Sequence, residues 1–257
     1  MSTYLLDLTQ EFAGRRALVT GGSRGIGAAS AQRLLDGGAT VMVAARSPHD
    51  QTPAGAKFIS ADLRTEAGAR ALAAAAVEEL GGLDILVNAA GATRVHIPNS
   101  EAISDVEWVD SLNINFLSAL RLTYASLPAL RQSKAASIIN ISSGGRLPYG
   151  GPLAHYGAAK AALNNWSEAL AKELSPEKIR VNIVTPGPVI TPGGDELRDV
   201  LVQAFGITTE QFFAQVPLGR AGVAPDLAEA IVFLSSDRAS WITGHNLFVS
   251  GGWGELS

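Results

Sequence analysis

The clearest candidates for acid–base chemistry in this sequence are Tyr156 and Lys160, which lie four residues apart. In a helix this spacing places both side chains on one face. A lysine cation beside a phenol favours the phenolate, so it lowers the phenol pKa from its usual value of about 10. Ser143, thirteen residues before Tyr156, could hydrogen-bond a substrate oxygen and stabilise the negative charge that grows on it. These residue types suit proton exchange with a carbonyl or an alcohol.

The same residues have structural interpretations. Ser142 and Ser143 follow an apolar run at residues 138–141 and could cap a turn or a helix. Tyr156 could be an aromatic residue that packs at the edge of a sheet where its helix begins. The chemical interpretation therefore depends on what surrounds these residues.

A glycine-rich turn follows the first apolar run, where residues 20–27 read TGGSRGIG. Glycines permit a tight turn and let a pyrophosphate approach the backbone N–H groups at the positive end of a helix. The Gly-x-x-x-Gly-x-Gly spacing is related to the dinucleotide fingerprint Gly-x-Gly-x-x-Gly without matching it. The turn therefore indicates a dinucleotide site, and an ordinary glycine-rich turn between a strand and a helix is the alternative.

Ser23 also lies in a Gly-x-Ser-x-Gly pattern, which is typical of the nucleophile of serine hydrolases, and His245 is a candidate base for it. Such a nucleophile normally follows several strands and an oxyanion loop. Only about 15 residues precede this strand, so a hydrolase is a minor alternative. A Walker A loop is excluded because no lysine stands before a serine or threonine at the required position.

The residues after the second predicted strand indicate which dinucleotide is bound. An acidic residue there would bind the ribose 2′-hydroxyl of NAD and repel a 2′-phosphate. This strand ends in Arg46 instead, and Arg24 lies in the glycine turn. Two guanidinium groups suit a 2′-phosphate, so we expect NADP(H) in preference to NAD(H). The alternative for each is a solvated surface arginine.

Short Val- and Ile-rich runs alternate with segments of helical period, a pattern typical of a parallel sheet covered on both faces. We expect an α/β fold of the Rossmann type: one doubly wound domain over residues 1–257 with a seven-stranded parallel sheet. The predicted strands are 16–20, 40–45, 57–60, 85–88, 137–142, 180–185 and 246–249. The predicted helices are 25–36, 65–80, 105–131, 156–174 and 225–235. Residues 186–216 read as an irregular insert with a helical patch at 197–205, and residues 191–216 are the expected substrate loop.

Composition excludes several classes of protein. The chain has 257 residues, 47% of them hydrophobic, a net charge of −4 and no cysteine. This excludes disulfides and thiolate sites, and it argues against binding to nucleic acid or to anionic membranes. The longest apolar stretch, residues 71–77, is too short to span a bilayer. We expect a cytoplasmic protein without a targeting segment, and no metal site because the four histidines lack ligand spacing.

Taken together, the motifs resemble those of the short-chain dehydrogenase/reductase family, in its common form of roughly 250 residues, over essentially the whole chain. The resemblance rests on the following segments: the turn at 20–27, Asp62, residues 88–91, Asn115, Ser143, Tyr156 with Lys160, Pro186 and Gly187 with Thr191, and residues 249–252. Two segments depart from the family pattern, since residues 88–91 read NAAG for the frequent Asn-Asn-Ala-Gly and residues 249–252 read VSGG for Val-Asp-Gly-Gly. Neither departure involves the reacting groups.

The resemblance implies a catalytic set of Asn115, Ser143, Tyr156 and Lys160, in which Asn115 anchors a water that relays protons from Lys160. It implies that Lys160 also holds the nicotinamide ribose, that Asp62 and Leu63 contact the adenine, that residues 88–91 contact the adenosine ribose, and that Val189 and Thr191 contact the carboxamide. An N-cap is the alternative role for Asp62. The full expected cofactor set is Gly21, Ser23, Arg24, Gly25, Ile26, Gly27, Arg46, Asp62, Leu63, Asn88, Ala89, Ala90, Gly91, Tyr156, Lys160, Pro186, Gly187, Val189 and Thr191.

The leading hypothesis is therefore an NADP(H)-dependent oxidoreductase, similar to 3-oxoacyl carrier-protein reductases, which acts on a small carbonyl or alcohol substrate and forms a homotetramer or dimer. A redox-sensing protein that binds the dinucleotide without turnover is the alternative. Residues 93–97, 144–151 and 191–216 should wall the substrate pocket. Its candidate lining residues are Arg94, Arg146, Leu147, Tyr149, His155, Phe205, Phe212 and Phe213. His155 could instead be a surface residue before the helix.

Overall fold

The computed structural model describes residues 8–143 and 151–254. The strands in this part of the chain are β1 (Arg16–Thr20), β2 (Thr40–Ala45), β3 (Lys57–Ser60), β4 (Ile85–Asn88), β5 (Ser137–Ile141), β6 (Arg180–Pro186), β7 (Val189–Ile190), β8 (Gly222–Val223) and β9 (Asn246–Val249). The α-helices are α1 (Gly25–Asp36), α2 (Glu66–Leu80), α3 (Asp105–Leu112), α4 (Ser118–Leu130), α5 (Ala154–Leu174), α6 (Pro192–Phe205), α7 (Thr209–Phe213) and α8 (Ala224–Ser235).

Seven strands form one parallel sheet in the order β3-β2-β1-β4-β5-β6-β9. Its central strands are apolar along their length because both faces are covered, and every residue of β4 and β5 is buried. Leucines and alanines of α2, α4 and α5 pack on one face, and those of α1 and α8 pack on the other. The predicted doubly wound α/β fold of the Rossmann type is confirmed.

All seven predicted strands of this sheet are present, with β5 one residue shorter and β6 one residue longer than predicted. The short parallel pair of β7 and β8 was not predicted. None of the helices in the described ranges is long and apolar enough to cross a membrane.

The helix predicted at 105–131 is wrong as one continuous α-helix. Between α3 and α4, residues Asn113–Leu117 form a π-helical turn, which inserts an extra residue into the helical repeat. The insert after β7 is also more regular than predicted, because α6 begins at Pro192 rather than near residue 197. Thr191 caps α6 by accepting a hydrogen bond from the N–H of Gly194, and a proline is well suited to the first helical position.

Candidate active site

The predicted site residues follow the carboxyl ends of neighbouring strands. The glycine turn follows β1, Asn88 ends β4, Ser142 follows β5 and Pro186 ends β6. Parallel strands end at the same edge of a sheet, and the strand order reverses between β1 and β4. A crevice at this reversal is where ligands bind in open α/β sheets.

The glycine turn packs directly against the segment that follows β4. Gly21 has a φ of +65°, and its N–H donates to the carbonyl oxygen of Ala44 at 2.8 Å. A Cβ at position 21 would lie 2.7 Å from the carbonyl oxygen of Ala89, and one at Gly27 would lie 2.3 Å from that of Gly21. Only glycine fits at these two positions, so the turn is built for close approach of backbone groups.

The N-cap residue of helix α1 makes no capping hydrogen bond with its side chain. Arg24 occupies this N-cap position and is exposed, with its Nη1 3.7 Å from a carboxylate oxygen of Glu196. The N–H of Gly25 donates to Oε1 of Gln51 at 2.9 Å, a contact that no sequence pattern indicated. Arg46 is exposed beyond the end of β2. The start of α1 therefore offers the donors and positive charge that an anionic ligand requires.

Thr20 and Asn88 fix the segment that follows β4. The hydroxyl oxygen of Thr20 accepts hydrogen bonds from the N–H groups of Ala89 and Ala90, each at 3.1 Å. Asn88 is buried, and its amide donates to Oδ1 of Asn140 at 2.8 Å. Thr20 lies inside the predicted turn, but its role was not predicted.

The π-helical turn carries Asn115, which is 2% exposed. Its Oδ1 accepts from the N–H of Ala92 at 3.0 Å, and its Nδ2 donates to the carbonyl oxygen of Ala92 at 2.8 Å. Nδ2 also reaches the carbonyl oxygen of Ser111 at 3.1 Å. A Cβ at Gly91 would lie 3.1 Å from Oδ1 of Asn115 and 3.8 Å from Nζ of Lys160. The structure therefore brings Gly91, Asn115 and Lys160 together.

Tyr156 and Lys160 lie in the first turns of α5, which begins at Ala154, two residues before the predicted start. Nζ of Lys160 is 5.9 Å from the centre of the Tyr156 ring, so the two side chains share one helix face as predicted. Lys160 is 4% exposed, and its Nζ donates to the carbonyl oxygen of Ile141 at 2.7 Å. Burial lowers the pKa of Lys160 from its ordinary value to about 8.

The two serines after β5 differ in burial. The N–H of Ser142 donates to the carbonyl oxygen of Val184 at 2.9 Å, which continues the pattern between β5 and β6. Its Oγ is buried and has no hydrogen-bond partner in residues 8–143 and 151–254. Ser143 is half-buried and directly follows it along the chain. The hydroxyl groups of these serines therefore directly follow Ile141, whose carbonyl oxygen accepts the hydrogen bond from Lys160.

The remaining predicted contacts lie along the same edge. Gly187 donates its N–H to Val249 at 3.1 Å, and Val189 pairs with Gly222 in the short parallel ladder. A Cβ at Gly25 would lie 3.4 Å from the Cβ of Thr191, so the residue before α6 lies next to the glycine turn. Leu63 is buried after β3, and Asp62 beside it is exposed.

The alternative role of Asp62 as a helix cap is wrong. Thr65 caps α2 by accepting a hydrogen bond from the N–H of Gly68, and Asp62 instead accepts from the N–H of Arg64 at 3.0 Å. The interpretation of His155 as a surface residue is also wrong, because this side chain is 3% exposed in the first turn of α5.

The hydrolase alternative fails on topology. Ser23 follows β1 at the carboxyl edge of the sheet, whereas His245 precedes β9 and so lies at the amino edge. The two strands are four positions apart in the sheet. At about 4.8 Å per strand this separation is about 19 Å, so His245 cannot serve as the base for Ser23.

The walls of the predicted substrate pocket are described in part. Residues 144–150, which include Arg146, Leu147 and Tyr149, lie outside the described residues. Arg94 is exposed, and Phe205 at the end of α6 is 64% exposed. Phe212 and Phe213 contact each other edge to face at 5.6 Å, and the guanidinium of Arg198 lies over the ring of Phe213 at 5.4 Å. The contact between Arg198 and Phe213 joins α6 to α7.

Comparison with known proteins agrees with this geometry. Residues 21–254 match a family profile described as enoyl-(acyl carrier protein) reductase. The 3-oxoacyl-[acyl-carrier-protein] reductase FabG of Escherichia coli is 38% identical over 247 residues, which cover 94% of this chain and 98% of that protein. The short-chain reductase protein NovJ of Streptomyces niveus is 34% identical over 92% of each chain.

Solved structures of two oxidoreductases have the same fold as this chain. The ligand-free aldohexose dehydrogenase AldT of Thermoplasma acidophilum superposes with a TM-score of 0.85 at 27% identity and covers 97% of each chain. Levodione reductase superposes with a TM-score of 0.84 at 27% identity, over 94% of this chain and 98% of that structure. The chain is therefore an oxidoreductase that belongs to the short-chain dehydrogenase/reductase family and resembles its 3-oxoacyl carrier-protein reductases.

Proposed function

We propose that the protein interconverts a carbonyl and a secondary alcohol with NADP(H) as its cofactor. The observation that carries this proposal is the buried ammonium of Lys160, which lies 5.9 Å from the ring of Tyr156 on the same face of α5. Burial of a lysine ammonium lowers the stability of the fold unless other groups pair with its charge, so a buried lysine often has a functional role. Here the charge is next to the one phenol that the family resemblance assigns to proton transfer.

The glycine turn and the start of α1 fit a dinucleotide, because they combine close backbone approach with the positive end of a helix and the exposed guanidinium of Arg24. The residues that would hold the adenosine half are those of the turn, Arg46, Asp62, Leu63 and residues 88–91. Tyr156, Lys160, Pro186, Gly187, Val189 and Thr191 would hold the nicotinamide half. The cofactor supplies or accepts the hydride when bound.

Residues of the protein carry out the proton transfer. Tyr156 donates a proton to the carbonyl oxygen, and the positive charge of Lys160 lowers the pKa of its phenol. Ser143 hydrogen-bonds the same substrate oxygen and stabilises the charge that grows on it. Asn115 holds the backbone at Ala92 beside Lys160 and anchors a water that carries protons from Lys160 to solvent.

The relatives indicate which substrates to test first. Their names include a 3-oxoacyl carrier-protein reductase, an aldohexose dehydrogenase and a levodione reductase. We propose a 3-oxoacyl thioester as the first class, because the acyl-carrier-protein reductases have the higher identity. In this proposal residues 1–257 form one domain, and residues 191–216 form the substrate loop.

We also propose that the protein assembles into a homodimer or homotetramer. Val106 and Val109 are exposed apolar side chains on α3, and Trp241 is 98% exposed close to the start of the edge strand β9. Large apolar residues exposed at a surface are typical of contacts between subunits. Light scattering on the purified protein measures the oligomeric state.

Turnover is tested by following NADPH consumption with a 3-oxoacyl thioester, and then with ketones and sugars. We expect wild-type turnover and its loss in Tyr156→Phe. Tyr124→Phe is the matched control, since this exposed tyrosine lies on α4, and it should keep wild-type activity. Full activity of Tyr156→Phe would refute the proposed mechanism.

Cofactor choice is tested by thermal stability in the presence of NADPH or NADH. A ligand at 100 times its dissociation constant adds about 2.7 kcal/mol to stability, so binding is readily detected. We expect NADPH to stabilise more than NADH, and Arg46→Ala to remove the difference. Arg70→Ala on α2 is the control for loss of a surface charge. Stabilisation without turnover of any carbonyl would support the redox-sensing alternative instead.

A further inference from the structure

Three rings from three separate elements meet next to Tyr156. His155 lies in the first turn of α5, His96 in the segment that follows β4, and Trp108 in α3. The ring of His155 contacts that of His96 edge to face at 5.0 Å and that of Trp108 at 6.2 Å. His155 thereby joins the helix that carries Tyr156 to a predicted wall of the substrate pocket.

The ring of His155 is packed as a neutral group. Its Nδ1 is buried and has no hydrogen-bond partner among the described residues. Burial and the neighbouring His96 lower the pKa of His155, and Glu107 opposes them only in part. The contact therefore consists of ring packing and not of a polar pairing.

The charged groups around the pair lie on the side of His96. Oε1 of Glu107 on α3 is 3.4 Å from Nε2 of His96. Glu107 also accepts hydrogen bonds from Ser104, which lower its pKa, so it stays a carboxylate. Arg94, on the same segment as His96, is a further charge near Glu107. On α5 itself, Tyr156 follows His155 and Lys160 lies one turn later.

The segment that runs from β4 to His96 is held by hydrogen bonds at two points. Asn115 holds Ala92 through two hydrogen bonds, and the N–H of His96 donates to the carbonyl oxygen of Pro152 at 3.1 Å. Residues 93–95 span the interval between these anchors. The second anchor joins this segment to the residues that lead into α5.

We propose that His155 is a positioning residue of the reaction: its neutral ring, packed on His96, sets residues 93–95 relative to Tyr156 and so sets the orientation of the carbonyl substrate. The inference rests on the proposed carbonyl reduction. When His155 takes up a proton, the buried contact loosens, because its charged ring would be buried with an Nδ1 that has no acceptor among the described residues. Substrate orientation is lost before the helix itself unfolds.

The first experiment compares pH profiles of NADPH consumption in the wild type, His155→Phe and His155→Ala. In the wild type we expect KM to rise in acid, below the ordinary histidine pKa of about 6.5, because burial lowers the pKa of His155. Phenylalanine keeps the ring and removes the titration, so its KM should stay flat over this range, with a kcat near that of the wild type. Alanine removes the ring, so we expect kcat/KM to fall about tenfold or more at every pH.

His245→Ala is the matched control, because it removes a histidine at the other edge of the sheet and should reproduce the wild-type profile. A wild-type kcat/KM in His155→Ala at pH 7, or an unchanged acid rise of KM in His155→Phe, would overturn the proposal.

The second experiment does not depend on turnover. Hydrogen–deuterium exchange at pH 7 should be faster in His155→Ala than in the wild type for the peptide that covers residues 92–97, and slow again in His155→Phe. Equal exchange in all three proteins would refute the positioning role. If the wild type reduced no carbonyl, the proposed function would fail, whereas this measurement would still decide whether His155 fixes the segment.

Discussion

The side chain of Asn115 pairs with both backbone groups of a single residue, Ala92, by accepting from its N–H at 3.0 Å and donating to its carbonyl oxygen at 2.8 Å. This double contact ties the π-helical turn to the segment that follows β4. Because Gly91 precedes Ala92 and lies beside Lys160, the contact sets the distance between that backbone and the buried ammonium.

Replacing Asn115 by alanine should therefore reduce both activity and stability. The variant leaves the backbone groups of Ala92 without their partners, at a cost of about 1–3 kcal/mol in the free energy of unfolding. We expect kcat to fall about tenfold or more, since Lys160 loses its fixed neighbour. Asn113→Ala, in the same turn, is the control, and urea unfolding with initial rates measures both effects.

Lys160 gives a pH dependence of stability that can be tested against Lys160→Met. The pKa of Lys160 is about 8 in the folded protein and near 10.4 in an unfolded chain. Between these values the unfolded state binds more protons, so stability rises with pH. The unfolding free energy of the wild type minus that of Lys160→Met should therefore increase from pH 8 to pH 10.5, by about 3 kcal/mol. A difference that stays constant would show that burial does not shift this lysine.

The glycine turn can be tested with two glycines of similar conformation. Gly21 and Gly14 have φ values of +65° and +74°, but a Cβ at Gly14 would meet nothing within 4 Å. Gly14→Ala should cost about 1 kcal/mol, which is the penalty of the left-handed conformation alone. Gly21→Ala adds a clash with Ala89, so we expect a larger loss of stability and no thermal shift with NADPH. Equal behaviour of the two variants would contradict the close approach.

Asp84 stabilises the opposite edge of the sheet. It precedes β4, is buried, and accepts hydrogen bonds from the backbone N–H and from Nε of Arg16 at 2.9 and 2.8 Å. Burial disfavours its charge, but the hydrogen bonds from Arg16 and Ser133 outweigh this and lower its pKa. Asp84→Asn should cost about 2 kcal/mol or more at pH 7 and leave kcat unchanged.

The acid dependence of this variant follows from the direction of the shift. A carboxyl group with a lowered folded pKa contributes stability above its unfolded pKa of about 3.9, and this contribution is lost as the pH falls through the folded pKa. The deficit of Asp84→Asn should therefore shrink in acid. A deficit that does not change between pH 7 and pH 3 would indicate a purely steric effect.

The sheet and the order of the site were predictable from sequence because they depend on local patterns. Apolar runs without alternation mark strands buried on both faces, and glycines mark the turn after β1 and the end of α2. The spacing of Tyr156 and Lys160 is likewise a local property of a helix.

The π-helical turn and the His155 contacts were not predictable in this way. Residues 113–117 are compatible with an ordinary α-helix, and the turn depends on the bonds that Asn115 makes with Ala92, which is 23 residues away. His96 and His155 are brought together only by the packing of three elements. Gln51 reaches Gly25 from a loop that carries no motif.

The short ladder between β7 and β8 has a consequence for how such enzymes diversify. Val189 and Ile190 pair with Gly222 and Val223, so the chain leaves for α6 and returns after α7 at neighbouring positions. A segment whose two ends are held together can change length and sequence without moving the strands that carry the reacting groups. We therefore expect that residues 192–221 can be exchanged between related proteins while the seven-stranded sheet and α5 keep their positions.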